Sequence, residues 1–144
     1  MRVMVIVKAT PNSEAGVLPS AEAFAAMTSF NEELVKAGVM LMGEGLHPSR
    51  EGKRVRFVGD ERTVVDGPFP ETRELAAGFW LWQVQSMDEA VAWARRCPHP
   101  MPGEDAVLEI RRVYELEDFG DAVTPDLRAR EDRLRAEVER RREG

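Results

Sequence analysis

Hydrophobic positions come in short dense runs, separated by breaks rich in proline, glycine and serine, and the runs carry two different periods. "RVMVIVKA" (Arg2 to Ala9) is β-branched and apolar on both parities, which predicts a strand covered on two faces. After the loop "TPNSEAGVLPS", Ser20 is placed to cap a helix running to about Ala37. Phe24, Met27, Phe30, Leu34 and Val35 recur along it as one apolar stripe, and Gly38 stands where a left-handed cap belongs. "VMLMGEGL" (Val39 to Leu46) predicts a second strand, thinned on one side by Gly43 and Gly45. "RVRFVGDERTVVD" alternates on both sides of Gly-Asp-Glu-Arg and predicts a hairpin. A turn at "DGPF" and a short helical piece around Glu71 to Ala76 lead into "GFWLWQVQ" (Gly78 to Gln85), the strongest strand signal of the chain. Ser86 and Glu89 form an S-x-x-E capping box for a helix carrying Ala90, Val91, Ala94 and Cys97 on one side, stopped by Pro98. "VLEIRRVY" (Val107 to Tyr114) is the last strand.

The order β-α-β, hairpin, β-α-β is that of an α+β sandwich with a ferredoxin-like split β-α-β. Both helices of such a fold cover one face of the sheet. The first strand nevertheless offers Val3, Val5 and Val7 on one side and Met4 and Ile6 on the other. The "GFWLWQVQ" strand offers Phe79 and Leu81 against Trp80, Trp82 and Val84. One set on each strand must point away from the helices, and leaving such side chains wet forgoes about 1.5–3 kcal/mol each. The simplest cover is a second copy, sheet against sheet under two-fold symmetry. A homodimer forming a shared α/β barrel is therefore expected, with Trp80 and Trp82 in its core rather than stacked on a ligand.

The chain of 144 residues is expected to form one domain over residues 1–120 and a helical extension over 121–144. Thr124 and Pro125 mark the start of that extension's helix, "PDLRAREDRLRAEVERRREG". Leu127, Leu134 and Val138 give it only a thin apolar seam, too narrow to cover the sheet. Its seven arginines nearly cancel six acids, so it reads as a solvated helix laced with i,i+4 pairs, or as a basic arm for a partner. A net charge of −6 argues against a general nucleic-acid binder. No apolar run approaches the roughly 20 residues a spanning helix needs, and no secretory signal is visible. With a single cysteine, these features point to the cytoplasm and to no membrane partner.

Candidate chemistry clusters near the strand ends. Asp66, ahead of Gly67 and Pro68, has two compatible readings: an Asx-type turn builder, and a carboxylate general base facing a cleft. Glu44 lies between two glycines that leave room for a ligand. It can share a proton with Asp66 or pair with Arg54 or Arg56. His47 and His99, each followed by proline, are surface residues or ligand contacts, and His47 near the second strand's end is the better binding candidate. Asp66 and Glu44 are thus the catalytic candidates, with His47, Arg54, Arg56 and His99 as substrate-binding ones. Cys97 sits at a helix end where the dipole is negative, so its pKa should not be depressed. No metal-ligand spacing, phosphate loop or dinucleotide fingerprint is present, so neither metal nor cofactor is expected.

"MGEGLHPS" (Met42 to Ser49), "DGPFPETRE" (Asp66 to Glu74), "GFWLWQV" (Gly78 to Val84), "RRCPHPMPGE" (Arg95 to Glu104) and "EIRRVYELEDFG" (Glu109 to Gly120) together resemble the YCII-related family, in its DGPF branch. The resemblance runs over residues 1 to about 120. It implies a dimeric α/β barrel from bacterial cytoplasm, often encoded beside alternative sigma factors. It also implies a histidine–aspartate pair in some relatives and a dehydrochlorinase in one lineage. In this chain those two positions fall near Met27 and at Cys97, so that pair is not inherited. Two functions follow as expectations. One is an acid/base, lyase-like enzyme acting on a small organic acid or ketone near the DGPF turn. The other is a non-catalytic metabolite-binding or regulatory module associated with sigma-factor systems.

Overall fold

A computed structural model describes residues 1–144, and the chain divides into two compact units, Met1–Arg112 and Val113–Gly144. In the first unit the chain runs β1 (Arg2–Lys8), α1 (Pro11–Glu14), α2 (Ala21–Lys36), β2 (Met40–Gly45), β3 (Lys53–Val58), β4 (Glu61–Asp66), β5 (Ala76–Gln83), α3 (Met87–Arg95) and β6 (Leu108–Arg112). It is an α+β fold with an antiparallel sheet. Four strands stand in the order β2-β5-β1-β6, and β3 and β4 form a separate two-stranded ribbon.

The strand pattern sorts the sheet's faces as the period of two requires. Val3 and Val5 are fully buried, and the register sets them beside Trp82 and Trp80 of β5. Phe30 and Leu34 of α2 and Ala90 of α3 close over them, so α2 and α3 cover this one face. Phe30 meets Trp80 edge-on at 6.0 Å and Trp82 at 6.5 Å. Trp80 Nε1 donates to Asn31 Oδ1 at 2.9 Å, whereas Trp82 Nε1 is buried with no partner. Leaving that donor unmet costs about 1–3 kcal/mol, offset by burying the whole indole. The tryptophans therefore belong to the chain's own core and not to a dimer core, because β5 turns its even positions toward α2.

The opposite face is apolar too. Met4 lies beside Leu81 and Ile6 beside Phe79, all four only half-buried. Of the apolar stripe expected on α2, Phe24 and Val35 remain exposed. At 3.6 residues per turn they fall on the shoulders of a stripe centred on Met27, Phe30 and Leu34. On α3, Val91 is exposed and Trp93 joins Ala94 and Cys97 against the core instead.

Other local differences have local causes. The segment expected as loop contains α1, because Thr10 and Ser13 cap it reciprocally. At α3 only half of the expected box forms: Ser86 Oγ accepts the Glu89 N–H at 3.1 Å, but the Glu89 carboxylate takes the Gln85 N–H at 2.6 Å rather than that of Ser86. Strand β6 ends at Arg112.

The second unit holds a 3-10 segment at Leu116–Ala122 and the helix α4 (Pro125–Glu143), which Thr124 caps. Helix α4 buries no residue, and Leu127, Leu134 and Val138 are exposed. Within this unit Arg128 pairs with Glu117 and holds its carboxyl below the usual carboxylate range. No helix of the chain is long and apolar enough to cross a membrane.

Candidate functional site

A cavity of about 610 Å³ opens in the first unit. Its walls are α1, the capped start of α2, the loop that leaves β2, and the Pro100–Glu104 loop after α3, with Ala77 of β5 also lining it. Leu18, Leu46, Pro48 and Met101 make much of the lining apolar, and the polar groups stand among them. A Cβ added at Gly45 would meet nothing within 4 Å, so this stretch of strand edge is open.

On one wall the ionisable groups, His47, Arg50 and Glu51, come from the loop after β2. His47 Nδ1 lies 3.1 Å from Glu51 Oε2, one 3-10 turn further along at Ser49–Glu51. Both residues line the cavity. The His47 side chain is 85% exposed, so the pair itself contributes only about 0–1 kcal/mol, and the loop must hold its geometry. Between them in sequence, Arg50 donates from Nη1 to the Glu14 carbonyl oxygen at 3.2 Å. Its positive charge meets a neutral acceptor there, and the guanidinium packs on Gly16, where a Cβ would come within 2.7 Å of Nη2. Glu104, on the far wall, is occupied by α1: Thr10 Oγ1 donates to it at 2.6 Å and the Asn12 N–H at 3.1 Å.

Of the catalytic and substrate-binding candidates read from the sequence, only His47 lines this cavity. Asp66 ends β4 on the ribbon, opposite Lys53, whose Nζ lies 2.5 Å from its Oδ1. Its carboxylate is engaged by that lysine and not by the turn's backbone, so the expected Asx bond is absent. Glu44 sits beside Phe79 in the register, on the sheet face away from the helices. No ion pair joins it to Arg54, Arg56 or Asp66; Arg54 instead reaches Glu71 at 3.2 Å and stacks over Phe69 at 3.8 Å. Arg56 is exposed on β3. His99 Nδ1 accepts the Met101 N–H at 3.1 Å, which shapes the loop lining the cavity without facing it. Gly43 makes room for the protein and not for a ligand, since a Cβ there would fall 2.7 Å from Trp80 Cδ1. Burial pushes the Cys97 thiol up to about 11 from its ordinary 9.0. No group of three or more histidine, cysteine or acidic side chains is arranged to hold a metal ion.

Glu51 and Arg50 were missed from sequence, although the signal was there. His47 and Glu51 are four apart, a spacing that only a helical turn makes useful, and the proline at position 48 disguised that turn as plain loop.

The YCII-related domain model matches residues 1–117. The chain belongs to the YCII-related family. An uncharacterised protein of Rhizobium meliloti (strain 1021) is 33% identical over 76 residues, which are 53% of this chain and 61% of that protein's length. The chain thus spans about three fifths of that relative. Among solved structures, it is similar to 5-chloro-2-hydroxyhydroquinone dehydrochlorinase from Burkholderia phenoliruptrix AC1100, in complex with 2,5-dihydroxybenzoquinone. That chain is 18% identical, with 82% of this chain and 98% of the other covered, at a TM-score of 0.46.

Proposed function

We propose that the first unit is a small-molecule enzyme of the acid/base kind, acting on a small organic acid or ketone in the cavity beside His47. The observation that supports this reading is the His47–Glu51 pair on the wall of a largely apolar cavity of about 610 Å³. In this reading Nδ1, 3.1 Å from the Glu51 carboxylate, carries the proton of the neutral imidazole, and Nε2 is the base. A proton taken from carbon beside a carbonyl leaves negative charge on oxygen. Arg50, whose charge no carboxylate matches at its Glu14 contact, is the group placed to receive it. Asp66 and Glu44 lie outside this cavity's lining, so the reading gives the chemistry to His47 and Glu51 in their stead.

The order β2-β5-β1-β6 under two helices on one face supports a ferredoxin-like assignment. The half-buried Met4, Ile6, Phe79 and Leu81 on the other face support two copies closing sheet to sheet. The unpaired Cys97 suits a reducing compartment such as the cytoplasm.

Thermal-shift screening of the intact chain against small carboxylic acids and ketones tests the site. Hits lost in His47→Gln and Arg50→Gln but kept in Asp66→Asn are expected. Hits indifferent to His47 and Arg50 would place binding elsewhere and favour a non-catalytic module.

A further inference from the structure

We infer that Ser49 is the positioning residue for the His47–Glu51 pair, gripped by Glu14 on one side and by the Asp-Gly-Pro-Phe turn on the other. The motif then serves the cavity as a buttress and does not supply its carboxylate. The inference rests on the reading of His47 and Glu51 given above.

The loop Leu46–Gly52 has little to hold it in place by itself. Its only regular piece is the single 3-10 turn Ser49–Glu51, closed by Glu51 N–H to Pro48 O at 3.0 Å and Gly52 N–H to Ser49 O at 2.8 Å. A lone turn of this kind has poor hydrogen-bond geometry and no cooperative support. Yet it decides where Glu51 stands relative to His47. The exposed pair cannot fix its own separation, so the constraint must come from outside the loop.

Two clamps supply it, and both close on Ser49. From α1, Glu14 Oε1 accepts the Ser49 N–H at 2.9 Å, and Oε2 accepts the Ser49 hydroxyl proton at 2.5 Å. Both bonds end on a carboxylate and are therefore charge-assisted. From the other side, Ser49 Oγ accepts the Phe69 N–H at 3.0 Å, and Gly52 O accepts the Gly67 N–H at 3.0 Å. Gly67 lies so close that a Cβ there would sit 1.7 Å from Ser49 O. The middle position must donate to a carboxylate and accept an amide proton at once. A hydroxyl does both, and alanine does neither. Glu14 also holds Arg50 through its carbonyl, so one residue of α1 fixes both Ser49 and the neighbouring Arg50, which lines the cavity. Asp66 takes no part: it is exposed and paired with Lys53 across the ribbon.

The test is 15N imidazole NMR on the full chain, at a pH about two units above the ordinary imidazole value, where the neutral tautomer is read directly. In the wild type, His47 is expected to carry its proton chiefly on Nδ1. Ser49→Ala should lower that Nδ1–H fraction at least twofold, Ser49→Thr should restore it, and Asp66→Asn should leave it unchanged. A folded Ser49→Ala chain with the wild-type tautomer overturns the positioning role while leaving the His47 reading intact. A wild-type His47 that prefers Nε2–H overturns both. Should Ser49→Ala fail to fold, Glu14→Gln keeps an acceptor for the Ser49 N–H and weakens only the charged clamp. A smaller loss of Nδ1–H is then expected, and an unchanged ratio refutes the proposal.

Discussion

Gly67→Ala separates packing from chemistry in the Asp-Gly-Pro-Phe turn. An alanine Cβ there would meet Ser49 O at 1.7 Å, Ser49 C at 2.6 Å and Arg50 Cα at 3.3 Å, all of them backbone atoms. No side chain can swing aside, so one of the two loops must move until the first contact opens to at least 3.0 Å. That movement breaks the Gly67 N–H to Gly52 O bond and the Phe69 N–H to Ser49 Oγ bond, both 3.0 Å long. Each lost bond is worth about 0.5–1.5 kcal/mol net, and overpacking adds about 1–3 kcal/mol. Because the loops are only half-buried, water re-satisfies part of the loss, and a destabilisation of about 2–4 kcal/mol is expected. For a chain of this size that lowers Tm by on the order of 10 °C. Urea unfolding followed by tryptophan fluorescence reads it directly, since Trp80 and Trp82 are in the core. Gly45→Ala is the matched control: its added Cβ meets nothing within 4 Å, so a change within about 0.5 kcal/mol is expected. Equal stabilities for the two variants would refute the contact argument.

Further outcomes can be checked independently. Leu34, at 0% exposure beneath the tryptophans, should cost about 2–5 kcal/mol as Leu34→Ala in urea unfolding. Burial that raises the Cys97 pKa to about 11 favours the thiol in the folded state, while the unfolded thiol ionises near 9.0. Stability should therefore be independent of this group below pH 9 and fall as pH rises from there toward 11. A Cys97→Ala chain whose stability falls equally over that window would contradict this. Sedimentation equilibrium at micromolar concentration should show a dimer that Leu81→Lys dissociates without unfolding. A wild-type monomer would remove the sheet-to-sheet pairing.

The strands, the two long helices and their order were legible in the sequence, because each depends on local signals. Ser20, Ser86 and Thr124 cap helices at their own backbone, and "GFWLWQVQ" alternates whatever surrounds it. Two sheet faces of comparable greasiness were legible too, since side chains alternate along any strand. Which face the helices chose was not. Val3 and Trp82 or Met4 and Leu81 could equally have gone inward on hydrophobicity, and only the packing of Phe30 and Leu34 settled it. The site shows the same division. His47 and the Asp-Gly-Pro-Phe turn stood out by residue type, but their partners lie far away in sequence. Glu14 reaches Ser49 across 35 positions, and Phe69 reaches it across 20. A carboxylate such as Asp66 reads as reactive when its neighbours are unknown; in the fold it is one half of an exposed ion pair. Local preference acts through a residue's own backbone and is written in order along the chain, whereas a hydrogen bond between loops exists only once the sheet has brought those loops together.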